Sequence, residues 1–389
     1  MQVTLRLDRG TLVMQEPPPC VADLFTWDAR SQSHRARGRD YRTIVEVLRQ
    51  HKVRFQDKAA AFLKLELGFA REIEPYPHQQ RALTAWKQAG RQGVVEVPTG
   101  GGKTLIAQLA LRDTPRSALI CVPTLDLMAQ WYSGLVAAFP DASIGMLGGG
   151  SHDETPLLIA TYDSAAIHAE KLAGQYGLLI CDEVHHLPGD FTRVIAEMSI
   201  APYRLGLSAT LRRSDGRERD LDTLLGPVVF SCSPDELAGD TLAAYKDVVI
   251  KVKLSPKEQE RYDELIWKRN DFLQLSGIRL GSLEGWKQFV MSTGTVQGRA
   301  AMQAHREAKS LAYGTEGKLR VLEEILANHP EARTLIFVND NATVYRISRE
   351  FLIPAITYQT PVKERVATLE RFRSGEYQYL VSGQVLNEG

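Results

Sequence analysis

A lysine, a threonine and a pair of carboxylates follow short aliphatic runs, where they could bind a nucleotide. Lys103 and Thr104 close the stretch VPTGGGKT, which lies between the aliphatic GVVEV and the helical pattern TLIAQLAL. A glycine-rich turn between a strand and a helix brings backbone N–H groups close to phosphate oxygens, and the helix N-terminus adds partial positive charge. We therefore predict that Lys103 reaches the β- and γ-phosphates and that the Thr104 hydroxyl ligates Mg²⁺.

The loop departs from the strict phosphate-binding pattern at one position. That pattern has glycine where Val97 stands, but a valine fits if it lies at the strand end and needs no positive φ. Gly100 and Gly102 then supply the conformational freedom. Four residues before the lysine are expected to contact the nucleotide: Thr99, Gly100, Gly101 and Gly102. The alternative is a glycine-rich loop without a ligand.

The segment LLICDEVHH places two carboxylates after a second aliphatic run. Asp182 would hold the metal through water, and Glu183 would orient and polarise the attacking water. Because adjacent strand residues face opposite ways, the pair fits best where the strand ends and the backbone turns. We interpret His185 as functional and His186 as a packed or surface histidine. The alternative for the carboxylates is an acidic pair at a helix N-terminus.

Aliphatic runs alternate with helical stretches from about residue 94 onwards. The runs are GVVEV, SALICV, PLLIA, GLLICDE, RLGLSAT and PVVF, followed much later by TLIFVND, AITYQ and YQYLVSG. Continuous apolar strands suit a parallel sheet covered on both faces, so the fold class is predicted to be α/β. YQYLVSG is expected to be an edge strand with no covering helix.

Two regions depart from this alternation. At the N-terminus, VTLRLDRGTLVMQ predicts a hairpin that turns at Asp8-Arg9-Gly10, and YRTIVEVLRQH predicts a helix. From about Leu254 to Gly314 the pattern is helical, and it starts with the capping box Ser255-Pro256-Lys257-Glu258. The predicted domains are residues 1–70, 71–245, 246–314 and 315–389.

Composition restricts the partners and the compartment. The 389 residues carry 47 basic and 47 acidic side chains, for a net charge of +0. A nucleic-acid site must therefore be a local patch or a cleft between domains. The 4 cysteines are scattered without a C-x-x-C pair, which predicts reduced thiols in a cytoplasmic protein and no zinc or disulfide framework. No apolar run approaches the roughly 18 residues of a membrane span, so no membrane partner is expected.

The motifs stand in a recognisable order along essentially the whole chain: PYPHQQRAL, VPTGGGKT, CVPTLDLMAQW, IATYDSA, CDEVHH, GLSATLRRSD and VLNEG. This set resembles superfamily 2 helicases of the DEAD/DEAH kind, and more narrowly the prokaryotic relatives of the DNA-repair helicase XPB. In that family an aliphatic residue at the position of Val97 is usual.

The resemblance implies tandem RecA-like P-loop domains with parallel sheets, a small N-terminal α+β domain and a helical thumb-like insertion. ATP with Mg²⁺ would bind between the two RecA-like domains, and DNA would run across both, as expected of an ATP-dependent DNA helicase or translocase in DNA repair. Gln79 would read the adenine. The residues implied to couple the nucleotide state to DNA are His185, Ser208 and Thr210. Those implied to line the nucleic-acid track are Pro123, Thr124 and Thr161.

The N-terminal unit resembles the damage-recognition domain of the family. Its arginines crowd a short span beside Trp27 and Tyr41, and basic residues beside aromatic ones suit a DNA-facing surface. The residues predicted to contact phosphates are Arg35, Arg37 and Arg39. The alternative is a solvated arginine-rich loop.

The mixed charges of the helical insertion favour an ordinary solvated helix, although the resemblance implies a grip on duplex DNA. The family also implies a nuclease partner.

Three departures from the family pattern affect the expected activity. Tyr76 stands where an arginine is frequent, and Arg213-Ser214-Asp215 replaces the Arg-Glu-Asp triplet, of which Arg213 and Asp215 are assigned to DNA. The sequence reaches Gly389 inside the fifth motif, before the arginines of the sixth. We therefore expect these 389 residues alone to bind ATP·Mg²⁺ weakly, to hydrolyse it very slowly and not to unwind DNA, whereas a natural chain extended through the sixth motif should do all three well.

Two other functions remain open on the sequence. One is the motor subunit of a restriction or remodelling system, which shares the two RecA-like domains. The other is a DNA- and ATP-binding module without motor activity.

Overall fold

The computed structural model describes residues 3–209, 219–237, 239, 246–280 and 283–383. The chain divides into two compact units, Met1–Lys246 and Asp247–Gly389. Among the described residues, no helix is both long and apolar enough to cross a membrane.

A five-stranded sheet and a helix open the first unit. The elements are β1 (Val3–Asp8), β2 (Thr11–Met14), β3 (Thr26–Asp28), β4 (Ser33–Arg37), α1 (Tyr41–Gln50) and β5 (Phe55–Lys58). The strand order is β3-β4-β2-β1-β5, in which β5 runs parallel to β1 and the other pairs are antiparallel. The predicted hairpin is confirmed. Arg9 and Gly10 both have positive φ, 48° and 71°, as a two-residue turn between twisted strands requires.

A predominantly parallel sheet forms the rest of the first unit. Its strands are β6 (Gln92–Glu96), β7 (Ala118–Val122), β8 (Ile144–Gly148), β9 (Ser151–His152), β10 (Leu157–Thr161), β11 (Leu178–Asp182), β12 (Tyr203–Ser208) and β13 (Val228–Ser231). The order is β13-β6-β12-β11-β7-β10-β8-β9, parallel except for β9. The predicted α/β class is therefore confirmed, although β8 and β9 were not predicted.

Helices cover this sheet on both faces. They are α2 (Pro77–Gln88), α3 (Lys103–Arg112), α4 (Leu125–Ala138), α5 (Tyr162–Ile167), α6 (Ala169–Leu172), α7 (Val194–Met198), α8 (Asp220–Leu224) and α9 (Pro234–Leu237). Consecutive residues of β7 belong to different hydrophobic clusters: Ile120 packs with α2, α3 and α4, whereas Leu119 and Cys121 pack with α5 and α7. Burial of both faces explains why these strands read as continuous apolar runs.

The second unit begins with helices, as predicted. Its elements are α10 (Pro256–Leu275), α11 (Leu283–Met291), α12 (Val296–Tyr313), α13 (Glu316–Asn328), β14 (Thr334–Phe337), α14 (Asn341–Phe351), β15 (Ala355–Ile356), α15 (Val362–Ser374) and β16 (Tyr379–Ser382). The predicted capping box is confirmed: the Glu258 carboxylate accepts from the Ser255 N–H at 2.8 Å, and the Ser255 hydroxyl accepts from the Glu258 N–H at 3.4 Å. Leu265 of α10 packs against Ala304 and Ala308 of α12.

The prediction that YQYLVSG forms an edge strand is wrong. Its strand, β16, lies in the middle of a three-stranded parallel sheet of order β14-β16-β15, and Leu380 and Val381 are fully buried. After β15 the chain crosses through α15 and inserts the last described strand between the two earlier ones. Among the described residues, β14 and β15 are the edges, and Phe337 on β14 is half exposed.

Candidate active site

The glycine-rich loop leaves β6 after Glu96 and enters α3 at Lys103. The Val97 N–H donates to the Ser208 carbonyl at 2.9 Å, which continues the pairing of β6 with β12. Val97 is buried and is not among the residues with positive φ, so it occupies the strand end that a valine permits. Gly100 and Gly102 have φ of 83° and 79°, a region in which only glycine is unstrained.

Two side chains from the start of α2 hold this loop from behind. The His78 Nε2 lies 2.7 Å from the Gly101 carbonyl, and because a carbonyl can only accept, this nitrogen carries the hydrogen. The Gln79 amide nitrogen donates to the same carbonyl at 3.3 Å, while its oxygen accepts from the Tyr76 N–H at 2.9 Å. His78 and Gln79 are both buried. A Cβ on Gly102 would lie 2.1 Å from the Gln79 amide nitrogen, so a larger residue at that position would displace the Gln79 amide from the loop.

Lys103 and the carboxylates of β11 meet at the carboxyl edge of the sheet. The Lys103 ammonium donates to the Glu183 carboxylate at 3.0 Å, and the two side chains are only 12% and 16% exposed. β11 ends at Asp182, and Glu183 then takes a left-handed conformation with φ 46° and ψ 56°. The backbone therefore turns between the two carboxylates, as predicted. A left-handed conformation is strained for a glutamate, by about 1 kcal/mol, and it directs Glu183 toward the loop.

Asp182 is buried and held by neutral donors. Its Oδ2 accepts from the Trp131 Nε1–H at 2.7 Å, and its Oδ1 accepts from the Glu183 N–H at 3.0 Å. Burial raises the pKa of Asp182 above its usual range, while the Trp131 hydrogen bond and the nearby Lys103 act in the opposite direction. The Tyr162 hydroxyl donates to the Asp182 carbonyl at 2.9 Å, which fixes the main chain at this point.

His185 lies between the Glu183 carboxylate and Ser208, the serine predicted to couple nucleotide state to DNA. Its Nδ1 is 3.6 Å from a Glu183 carboxylate oxygen and 3.4 Å from the Ser208 hydroxyl. The centroid of the His186 ring lies 4.4 Å from that of the His185 ring and 5.9 Å from that of the Tyr162 ring. Of the other residues predicted near this point, Thr210, Arg213 and Asp215 lie outside the described residues.

The available oxygens fit a magnesium–nucleotide complex. Mg²⁺ prefers oxygen ligands and usually keeps several waters beside one or two protein groups and the substrate phosphates. The Thr104 side chain at the start of α3 is exposed, and each Asp182 carboxylate oxygen accepts one of the two hydrogen bonds described above, which leaves it a second lone pair. No cluster of three or more His, Cys, Asp or Glu that could hold a metal occurs in the described part of the chain.

The predicted track residues are helix caps at the same edge of the sheet. Thr124 caps α4, and its hydroxyl oxygen accepts from the Leu127 N–H at 3.2 Å. Thr161 caps α5 in the same way, accepting from the Ser164 N–H at 3.2 Å. Pro123 precedes the first cap and is partly exposed. The structure thus places these residues beyond the ends of β7 and β10, and β7 lies next to β11, which carries Asp182.

The three arginines predicted to contact phosphates have different surroundings. Arg35 forms ion pairs with Asp8 at 2.6 Å and with Asp28 at 3.1 Å. Arg39 lies 3.8 Å from Asp40, with 14% of its side chain exposed. Arg37, by contrast, is exposed at the end of β4. Two of the three arginines are therefore already paired with carboxylates.

Sequence reasoning missed Trp131 and His78, although both stand in motifs that were singled out. The available signal was physical. A buried tryptophan usually finds an acceptor for its N–H, and a buried aspartate needs donors. Since the order of β7 and β11 in the sheet was unknown, the two could not be joined from the sequence.

Three protein families match parts of the chain. Residues 5–59 match the xeroderma pigmentosum group B helicase damage recognition domain. Residues 72–213 match the res subunit of type III restriction enzymes, and residues 317–389 match the helicase conserved C-terminal domain.

Similarity to single proteins extends further. The chain is 35% identical over 388 residues to the DNA 3'-5' translocase XPB2 of Sulfurisphaera tokodaii, with 100% of this chain and 87% of that protein covered. It is 28% identical over 313 residues to the DNA 3'-5' helicase XPB of Mycobacterium tuberculosis, where the match covers 77% of this chain and 49% of that protein. A solved structure of S. cerevisiae Dbp5 bound to RNA and ADP BeF3 shares the fold, with a TM-score of 0.50 at 14% identity over 81% of this chain and 72% of that one.

Proposed function

The chain belongs to the XPB family of superfamily 2 helicases, and we propose on that basis that it uses ATP·Mg²⁺ to move on or open duplex DNA. The observation that supports this most is the constellation of Lys103, Asp182 and Glu183 at the carboxyl edge of one parallel sheet. The family match at residues 5–59 and the relatives named translocase or helicase make DNA the natural substrate.

The nucleotide would be held by the loop and hydrolysed by groups at the end of β11. The backbone N–H groups from Thr99 to Gly102 and the ammonium of Lys103 bind phosphate oxygens. Gln79 lies behind the loop, and the resemblance assigns it to the adenine. Thr104, and Asp182 through water, would hold Mg²⁺, and the ion would neutralise charge that develops on the phosphates.

Glu183 would orient the attacking water. It sits on a turned backbone beside Lys103, and His185 lies between Glu183 and Ser208. We assign His185 and Ser208, with Thr210 beyond the described residues, to coupling between nucleotide state and DNA. DNA would contact Pro123, Thr124 and Thr161 on the track, the arginines of the N-terminal unit, and Arg213 and Asp215.

We divide the chain for this function into a damage-recognition-like domain at 1–70, a first RecA-like domain at 71–245, a thumb-like insertion at 246–314 and a second RecA-like domain at 315–389. From the resemblance alone we add a nuclease as a partner. The 4 cysteines are all unpaired, in keeping with the cytoplasmic location that we propose.

A restriction motor is the second candidate, because residues 72–213 match a type III restriction subunit. The match of residues 5–59 to the XPB damage recognition domain favours the first candidate. The two candidate functions differ in how the activity depends on the DNA sequence. A motor that contacts phosphates through hydroxyl and main-chain groups is stimulated by duplex DNA of any sequence, whereas a restriction motor requires a recognition site.

Binding measurements test the proposal at its first step. Fluorescence anisotropy of a labelled, non-hydrolysable ATP analogue should show Mg²⁺-dependent binding to the parent chain and at least about tenfold weaker binding to Lys103→Ala, since the variant loses a charge-assisted contact worth about 1.5–3 kcal/mol. Lys87→Ala is the matched control, because Lys87 pairs with Asp113 at 2.8 Å on the surface of the same unit. Equal affinity in the parent and in Lys103→Ala would contradict the assigned site.

A further inference from the structure

We infer that Trp131 is a positioning residue for Asp182, so that a tryptophan on α4 sets the orientation of the carboxylate that holds Mg²⁺ beside the nucleotide. The inference rests on the proposed ATPase function and extends it to a residue outside the loop and the Asp182-Glu183 pair. Its basis is a hydrogen bond of 2.7 Å between the Trp131 Nε1 and the Asp182 Oδ2, in a site where both residues are buried.

The carboxylate plane is held at both oxygens. Trp131 binds Oδ2, the Glu183 N–H binds Oδ1 at 3.0 Å, and the Tyr162 hydroxyl fixes the adjoining carbonyl. The Trp131 ring is 2% exposed and is packed in the main hydrophobic cluster of the unit, so the direction of its N–H is fixed by packing. A carboxylate with two fixed donors has one orientation, and its remaining lone pairs point in set directions.

An indole suits this role better than a charged donor. The indole N–H can only donate a hydrogen bond, so Trp131 always presents a donor, and never an acceptor, to the Asp182 carboxylate. It carries no charge, so it orients the carboxylate without neutralising the negative charge that attracts Mg²⁺. A lysine or arginine at the same place would form an ion pair and compete with the metal. Groups that orient a metal ligand in this way typically contribute about 10- to 100-fold in metal affinity or activity.

The competing explanation is that Trp131 is only a core residue whose N–H happened to need an acceptor. The same cluster provides a direct comparison. Trp86 is fully buried, and its Nε1–H donates to the Arg204 carbonyl at 2.8 Å. Trp86 therefore shows how a buried tryptophan is satisfied by the main chain. Trp131 instead donates to the side chain of the one aspartate at the end of β11.

The test uses four variants and measures binding without turnover. The variants are Trp131→Phe, Trp86→Phe, Asp182→Asn and the double variant Trp131→Phe/Asp182→Asn. The probe is a labelled, non-hydrolysable ATP analogue titrated with Mg²⁺, and thermal unfolding is recorded for each protein. Phenylalanine keeps an aromatic ring and removes the N–H, so Trp86→Phe matches the packing change in the same cluster.

Trp131→Phe should raise the Mg²⁺ concentration for half-maximal binding about tenfold, and Trp86→Phe should leave it unchanged. In the Asp182→Asn background, Trp131→Phe should cause no further change, because the group through which it acts has been altered. An equal effect of the two phenylalanine variants, or a Trp131→Phe effect that persists beside Asp182→Asn, would overturn the inference. Parent chain that binds the analogue without any Mg²⁺ dependence would instead refute the proposed metal site itself.

A second measurement covers the case in which Trp131→Phe does not fold. With all five tryptophans labelled with ¹⁵N at the indole, the buried N–H bound to a carboxylate gives its own resonance. That resonance should move when Mg²⁺ and the analogue bind to the parent, and its position should change in Asp182→Asn. If no indole resonance responds to either change, Trp131 does not position Asp182.

Discussion

Lys103 and Glu183 form an ion pair of 3.0 Å across the loop, with both side chains largely buried. The lysine assigned to the phosphates and the carboxylate assigned to the water are therefore direct partners. A triphosphate that binds the Lys103 ammonium must share the ammonium with Glu183 or displace Glu183 from it. Nucleotide binding should consequently free the carboxylate for water, which links the two roles.

Glu183→Gln should separate binding from turnover. The glutamine no longer holds Lys103 as an ion pair, so the affinity for ATP·Mg²⁺ should stay equal to that of the parent or rise. Hydrolysis should fall by about 10²–10⁴-fold, since the group that activates the water is lost. Equilibrium binding and single-turnover hydrolysis measure the two quantities. A variant that hydrolyses ATP at the parent rate would show that Glu183 has another role.

His78 should matter through the loop that it holds. His78→Phe removes the hydrogen bond to the Gly101 carbonyl and keeps a ring in the buried position. Loss of one such bond is worth about 0.5–1.5 kcal/mol, so nucleotide affinity should fall by about two- to tenfold. The control is His51→Phe, because His51 bonds to a carbonyl of its own helix in the N-terminal sheet region. If the two variants bind the nucleotide equally well, the loop does not depend on His78.

The N-terminal arginines should divide into two classes. Arg37→Ala should flatten the slope of log affinity for duplex DNA against log salt by about 0.9 if it contacts one phosphate, with no change in the thermal midpoint. Arg35→Ala breaks ion pairs to Asp8 and Asp28, which are partly exposed, and should cost up to about 1 kcal/mol of stability. Salt titrations of DNA binding, together with thermal unfolding, distinguish the two classes of arginine. An unchanged slope in Arg37→Ala would mean that this arginine is merely solvated.

Glu258 gives the second unit a pH-dependent stability. Its carboxylate accepts from the Ser255 N–H at 2.8 Å, from the Glu316 N–H at 3.0 Å and from the Thr315 hydroxyl at 3.0 Å, so one side chain caps both α10 and α13. These bonds, the Ser255 N–H first, lower the pKa of Glu258 from 4.5 to about 2. A lowered folded-state pKa gives a contribution that is complete above the unfolded pKa and is lost as pH falls from about 4.5 toward 2.

Glu258→Gln should therefore destabilise the chain by about 1 kcal/mol at pH 7, the usual value of a lost helix cap. The difference from the parent should shrink as the pH is lowered from 5 to 2. Thermal unfolding across that range measures it. Glu260→Gln serves as the control on the same helix, because Glu260 is an exposed carboxylate of α10 that caps neither α10 nor α13. A difference that stays constant down to pH 2 would contradict the capping role.

Local patterns predicted the elements that carry the site. The apolar runs identified β6, β7, β10, β11 and β12 because both sheet faces are buried, and the glycines marked the loop. The break between Asp182 and Glu183 was also predictable, since two carboxylates on one strand cannot face the same side. The Ser255–Glu258 capping box is local as well, and it was found from four adjacent residues.

Contacts between distant segments could not be predicted. Trp131 meets Asp182 across 51 residues, and Glu258 reaches Glu316 across 58, so each depends on how helices and strands are ordered in space. The prediction for β16 was wrong for the same reason, because the sequence does not show between which earlier strands the last strand pairs. The ion pairs of Arg35 depend on the registers that join β1 to β2, β2 to β4 and β3 to β4, which bring Asp8 and Asp28 near it.

The central claim is that DNA drives ATP hydrolysis at the site formed by Lys103, Asp182 and Glu183. The most direct measurement is the rate of ATP hydrolysis with and without duplex DNA of two unrelated sequences, in the parent and in Glu183→Gln. The account predicts that both duplexes accelerate hydrolysis by the parent and that Glu183→Gln shows no acceleration while it still binds nucleotide. If the parent binds ATP and DNA without hydrolysis, or if Glu183→Gln is stimulated as strongly as the parent, the account is contradicted.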